Sequence, residues 1–263
     1  MGGVRPLVMG VLNVTPDSFS DGGSWFDARA AVAHGLEMVA EGADVVDVGG
    51  ESTRPGAEPV GEAEEKGRVL EVVAALAPHV RVSIDTRKAG VAREAVAAGA
   101  TLVNDVSASL WEVAADTGAG WVAMHMQGEP GTMQAAPVYG DVVQEVRDFL
   151  VARAGIAREG GVSEVWIDPG IGFGKTAAHN LTLLRHLPSL VKTGFPVMVG
   201  TSRKSFLGAL AGRSPAERAE VDDRLEGSLA TAVWSMAQGA AMVRVHDVRP
   251  TVQAACLLVE VPA

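Results

Sequence analysis

Eight short apolar runs, most of them rich in valine, alternate along this chain with stretches whose apolar residues recur every three or four positions. Runs that are apolar on both faces fit strands covered on both sides, as in a parallel sheet flanked by its crossover helices. The runs are LVMGVLNV (7–14), DVVDVG (44–49), VRVSID (80–85), TLVND (101–105), GWVAMH (120–125), EVWID (164–168), PVMVG (196–200) and MVRVH (242–246). Asp27 is placed to cap a helix carrying Ala28, Val32, Leu36 and Val39, and Val69, Leu70, Val73 and Leu76 mark another before Pro78. Further helices are expected after Thr86, around Trp111, from Asp141 to Arg158, after Thr176, after Ser202, from Asp222 to Gln238 and after Val248. Eight strand–helix units in 263 residues predict a single-domain (β/α)8 TIM barrel over residues 1–263, because an open doubly wound sheet usually has fewer strands.

Composition narrows the function. Hydrophobic residues make up 48% of the chain and charged residues 21%, enough apolar material for a core. With 22 Lys and Arg against 32 Asp and Glu, the net charge of −10 repels a phosphate backbone, so no nucleic-acid partner is expected. No apolar run reaches membrane-spanning length, so no membrane partner is expected either. The first apolar run reads as a strand rather than a signal peptide, and a lone Cys256 among apolar neighbours reads as a buried small side chain. Together these suggest a reducing cytoplasm.

In a parallel barrel the active site forms where the strands end. Polar residues stand at nearly every such position: Asn13, Asp85, Asn104 with Asp105, His125, Asp168, and Arg244 with His246. A single Asp before a turn is commonly a cap, but two carboxylates converging on one mouth can accept from the N–H groups of a flat heterocycle. Arg244 and His246 lie two apart on one strand and share a face, which makes an anion site. His125 reads as a satisfied core histidine. GIGFGKT lacks the glycine spacing of a nucleotide loop and reads instead as a tight turn with Phe173 as an apolar wall. In GTSRKSFLG, Ser202 is expected to cap a helix whose first turn holds Arg203, Lys204 and Ser205.

The strings LNVTPDSFSDGG, DVGGESTRPGA, SIDT, NDVS, MHMQG, DPGIGFGK, TSRKSFLG and VRVHDV follow one another in an order that resembles the dihydropteroate synthase family of pterin-binding enzymes. The resemblance implies a transferase that condenses para-aminobenzoate with 6-hydroxymethyl-7,8-dihydropterin diphosphate, giving 7,8-dihydropteroate and pyrophosphate in folate biosynthesis. It implies Mg²⁺, a cytoplasmic homodimer and a target for sulfonamides. By the same resemblance, Asp85, Asp168 and Lys204 are the catalytic set, with Asn104 beside them on the pterin and Met124 and Phe173 as walls. Asn13, Arg244 and His246 would bind the diphosphate, Asn13 also taking the metal. Phe19, Thr53, Arg54 and Pro55 would shape the para-aminobenzoate pocket, and the Ser205 region would receive its carboxylate. One stretch departs from the family pattern: DVSASLWEVAADTGAG is shorter than the usual segment after that strand. A corrinoid-linked methyltransferase of the same fold would have no use for a diphosphate pocket or the SRKS turn. A binding-only relative should have lost the Arg244 and His246 pair, which is present.

Overall fold

The computed structural model describes residues 5–15, 28–52, 59–129, 131–211 and 219–260. Each apolar run contains one strand: β1 Leu7–Asn13, β2 Val45–Gly49, β3 Arg81–Asp85, β4 Leu102–Asp105, β5 Gly120–Met124, β6 Val165–Asp168, β7 Met198–Val199 and β8 Met242–Val245. The strands pair in parallel in the order β6-β5-β4-β3-β2-β1-β8-β7. A bridge between Ile167 and Val197 joins the two ends, with Ile167 N donating to Pro196 O at 3.0 Å. The eight strands therefore form the expected barrel. β7 is short because Pro196 has no N–H for the ladder.

The helices are α1 Ala28–Ala40, α2 Glu62–Leu76, α3 Ala89–Ala97, α4 Trp111–Thr117, α5 Val142–Glu159, α6 Ala177–Arg185, α7 Leu187–Val191, α8 Ser205–Ala211, α9 Leu225–Ala237 and α10 Val248–Glu260. Asp141 caps α5 by accepting from Val143 N and Gln144 N, both at 3.0 Å, and Thr176 caps α6. α7 was not expected separately. Pro188 in its first turn cannot continue the preceding helix but fits the start of a new one. Asp27, the expected cap of α1, lies outside the described residues.

The core has two parts. Strand residues facing outward, such as Val46, Val48, Val82, Ile84, Val103 and Ile167, pack with the helices. Met9, Val45, Leu102, Val122, Trp166, Met198 and Met242 form a separate plug inside the barrel. Strand side chains alternate between faces, so the residues two further along each strand point inward above this plug. Val45 is thus followed by Asp47, Leu102 by Asn104, Trp166 by Asp168 and Met242 by Arg244. The apolar floor beneath the polar mouth is a direct result of the strand period.

Cys256 corrects an expectation, since it is exposed. α10 buries Val248, Thr251 and Ala255, and Cys256 comes about 100° further round the helix from Ala255.

Candidate functional site

Arg244 organises one side of the barrel mouth. Its Nε donates to Asp47 Oδ2 at 2.6 Å and its Nη2 to Asp85 Oδ2 at 2.7 Å, tying β8 to β2 and β3. Asn104 Nδ2 donates to the same Asp47 oxygen at 2.9 Å. Asp47 is fully buried, and its other oxygen, Oδ1, has no hydrogen-bond partner among the described residues. Burial pushes the Asp85 carboxyl up to about 7; the Arg244 charge works against that rise, while Asp47 adds to it. Burial likewise disfavours the Arg244 charge, but Asp47 and Asp85 more than compensate and hold it protonated.

The opposite side is built on the turn after β6. Asp168 is buried at the end of that strand, and its Oδ1 accepts from Gly170 N at 2.7 Å. Burial raises its carboxyl above the usual range, against the pull of Lys204. Gly170 is required here: its φ is +64°, and a Cβ would stand 1.9 Å from His125 O. Lys204 Nζ donates to Ile171 O and lies 4.3 Å from the centre of the Phe173 ring. Burial lowers the Lys204 ammonium to about 8, with Asp168 and Asp85 opposing the fall and Arg244 reinforcing it. Lys204 therefore feels the charges of Asp168, Arg244 and Asp85, and Asp168 those of Lys204 and Arg244, which places these groups near one another at the mouth. Met124, buried at the end of β5, is registered directly beside Asp168.

Lys175 and His125 lie beneath this turn. Lys175 Nζ sits 2.9–3.2 Å from the carbonyls of Phe173, Gly170 and His125 and 3.0 Å from His125 Nδ1. His125 also packs edge-on against Phe149 at 5.1 Å. Burial and then the Lys175 charge push the imidazole down to about 3, which leaves it neutral. It is a satisfied core histidine, as the sequence suggested.

The SRKS turn differs from expectation. α8 begins at Ser205, so Arg203 and Lys204 precede the helix instead of filling its first turn. Ser202 does not cap it. The Ser202 hydroxyl accepts from His246 N at 3.1 Å and shares a 3.0 Å hydrogen bond with His246 Nδ1. Arg203, at φ +59°, turns away to pair with Asp247 at 2.7 Å, which frees Lys204 to face the mouth. Ser205 is exposed at the start of α8.

Asn13 stands at the mouth end of β1, registered beside Gly49. It offers a metal one neutral oxygen, and no group of three His, Cys, Asp or Glu suited to a metal occurs among the described residues. Such a donor fits Mg²⁺ brought in with substrate phosphates and waters, not a resident ion in a protein cage. Phe19, Thr53, Arg54 and Pro55 lie outside the described residues. The ends of the segment holding the last three are fastened together, with Glu51 Oε1 accepting from Val60 N at 3.0 Å.

Asp105 turns out to be structural. It accepts from Ser107, Ser109 and Leu110 backbone N–H groups at 2.6–2.9 Å and from Trp121 Nε1 at 3.2 Å. These bonds close the shortened segment on the outer side of β4, away from Asn104. Asp47 is the residue that sequence reasoning missed; its one signal is an acid in the middle of the Val-rich run DVVDVG.

Known proteins resemble this chain in sequence and fold. Residues 9–246 match the model of the pterin binding enzyme family. A dihydropteroate synthase from Synechocystis sp. is 45% identical over 260 residues, covering 95% of this chain and 88% of the relative. The structure of a Xanthomonas albilineans dihydropteroate synthase with 4-aminobenzoic acid superposes with a TM-score of 0.90 at 46% identity, covering 98% of this chain and 94% of that one. A second structure from that organism, in complex with 7,8-dihydropteroate, gives 0.86 at 43% identity, over 98% and 95% of the two chains.

Proposed function

The chain belongs to the dihydropteroate synthase family, a transferase joining para-aminobenzoate to a dihydropterin diphosphate, and we propose that its mouth residues divide this work between a pterin side and an anion side. The observation carrying this division is geometric: Arg244 is held by Asp47 and Asp85 on one side of the mouth, while the turn after β6 holds Asp168 and Lys204 on the other.

Asp168 and the Asn104 amide oxygen accept from the amino and ring N–H groups of the pterin. Lys204, with three N–H donors, gives one to the pterin carbonyl oxygen and one to a ring nitrogen. Met124 and Phe173 wall the ring. Arg244 and His246 hold the diphosphate and stabilise charge that grows on it as the C–O bond breaks. Mg²⁺ bound through Asn13 and the diphosphate would neutralise part of that charge. Loss of pyrophosphate leaves a pterin cation, which Asp85 and Asp168 stabilise. The aromatic amine then attacks with little activation, and loss of one amine proton to the departed pyrophosphate or to solvent gives 7,8-dihydropteroate. Phe19, Thr53, Arg54 and Pro55 shape the para-aminobenzoate pocket, and Ser205 receives its carboxylate.

No helix among the described residues is long and apolar enough to cross a membrane. We place the enzyme in the cytoplasm as a homodimer. Sedimentation equilibrium giving only monomer at micromolar concentration would remove the dimer. The activity itself is tested by incubating purified protein with Mg²⁺, para-aminobenzoate and the pterin diphosphate. Pyrophosphate release is expected; none at saturating substrate overturns the assignment.

A further inference from the structure

Asp47 carries no substrate role in the division above, yet it is the most completely buried acid at the mouth and joins the two sides. On the pterin and diphosphate roles given above, we propose that Asp47 is a positioning residue that sets Asn104 as a hydrogen-bond acceptor and fixes the Arg244 guanidinium. Both hydrogen bonds arrive at one oxygen, Oδ2, from Asn104 Nδ2 at 2.9 Å and Arg244 Nε at 2.6 Å.

A carboxylate only accepts, so the amide of Asn104 must turn its NH₂ toward Asp47. Its carbonyl oxygen is then free for another partner, and an N–H of the pterin supplies the complement. Were the amide reversed, two oxygens would face each other below and an N–H would meet the pterin's N–H above. The guanidinium is fixed in the same way. With Nε on Asp47 and one Nη2 hydrogen on Asp85, its plane is set and three N–H groups remain for an anion. Asp47 is fully buried, one step above the apolar plug, so it can act on substrate only through these two side chains.

Asp47→Asn keeps the shape and removes the charge. We expect calorimetric affinity for 6-hydroxymethylpterin and for inorganic pyrophosphate each to fall roughly tenfold or more. KM for the pterin diphosphate should rise while KM for para-aminobenzoate stays the same. A merely structural role would lower the melting temperature and leave both affinities and the KM ratio in place, and that result overturns the proposal. The reciprocal double variant, Asp47→Asn with Asn104→Asp, retains an oxygen facing the pterin and packs the same number of atoms. It should recover pterin affinity but not pyrophosphate affinity, and it serves if the single variant does not fold; no recovery of pterin affinity counts against the amide-orienting role. Ser83→Ala is the control. Ser83 is buried beside Asp47 in register with no partner for its hydroxyl among the described residues, so both affinities should hold. Asn104→Ala and Arg244→Ala separate the premises: if they leave pterin and pyrophosphate binding intact, the assigned roles fail; if they abolish binding while Asp47→Asn does not, only the Asp47 proposal fails.

Discussion

Each end of the barrel interior pairs an arginine with carboxylates, one at the floor and two at the mouth, and the two arrangements differ. At the floor, Arg81 gives Nη1 and Nη2 to the two oxygens of Glu164 at 2.9 and 2.6 Å, and Trp166 Nε1 adds a third donor at 2.6 Å. Gly120 leaves room for that carboxylate, since a Cβ there would stand 2.8 Å from Glu164 Oε2. Burial pushes the Glu164 carboxyl up, but the bonds from Arg81 and Trp166 outweigh it and hold it below its ordinary range. At the mouth one guanidinium serves two acids, and burial wins at Asp85. The floor pair is closed, with donors matched to acceptors. The mouth has more acids than it can pair and so suits a ligand rich in N–H groups that becomes positive during reaction.

Removing Arg244 should therefore have the largest effect. Arg244→Ala leaves two buried carboxylates facing each other, costing about 3–5 kcal/mol of stability, and kcat/KM for the pterin diphosphate should fall by roughly a hundredfold or more. Denaturant unfolding and steady-state kinetics measure both; unchanged kinetics would contradict the anion-side role. Next comes Asp168→Ala, which orphans pterin donors at roughly 1–3 kcal/mol each and should weaken pterin binding at least about tenfold in calorimetry. Equal affinity in the variant would remove Asp168 from the site.

Arg81→Ala sharpens the contrast from the floor. Its pair with Glu164 is partly exposed, at 28% and 37% for the two side chains, so about 1 kcal/mol of stability is at stake. Substrate kinetics should not change, and a drop in kcat would show that floor and mouth are one unit. The last test is a slope with pH. Asp85 has an ordinary value of 3.8 and a folded value of about 7, so the folded state holds this proton more tightly than the unfolded chain. Its contribution to stability is whole below pH 3.8 and is lost as pH rises to about 7. Across that window the wild type should lose stability relative to Asp85→Asn; parallel melting curves would contradict it.

The barrel was legible because buried parallel strands must be apolar on both faces, which leaves valine runs that helices do not copy. Asp85, Asn104, Asp168 and Arg244 were legible because they interrupt such runs where strands end. Asp47 was not, because a mid-strand acid gains meaning only from Arg244, 197 residues away in sequence. Ser202 was misread for a related reason: the local pattern of a helix cap is satisfied, but His246 from the neighbouring strand takes its hydroxyl. Cys256 misled because apolar neighbours in a helix do not fix the face on which one residue falls.

A crystal soaked with a pterin and pyrophosphate tests most directly whether these side chains serve a single opening. The ring should lie between Asp168, Asn104 and Lys204, with the anion against Arg244, His246 and Asn13. Density for either ligand in a separate cavity, with these side chains untouched, would contradict the account.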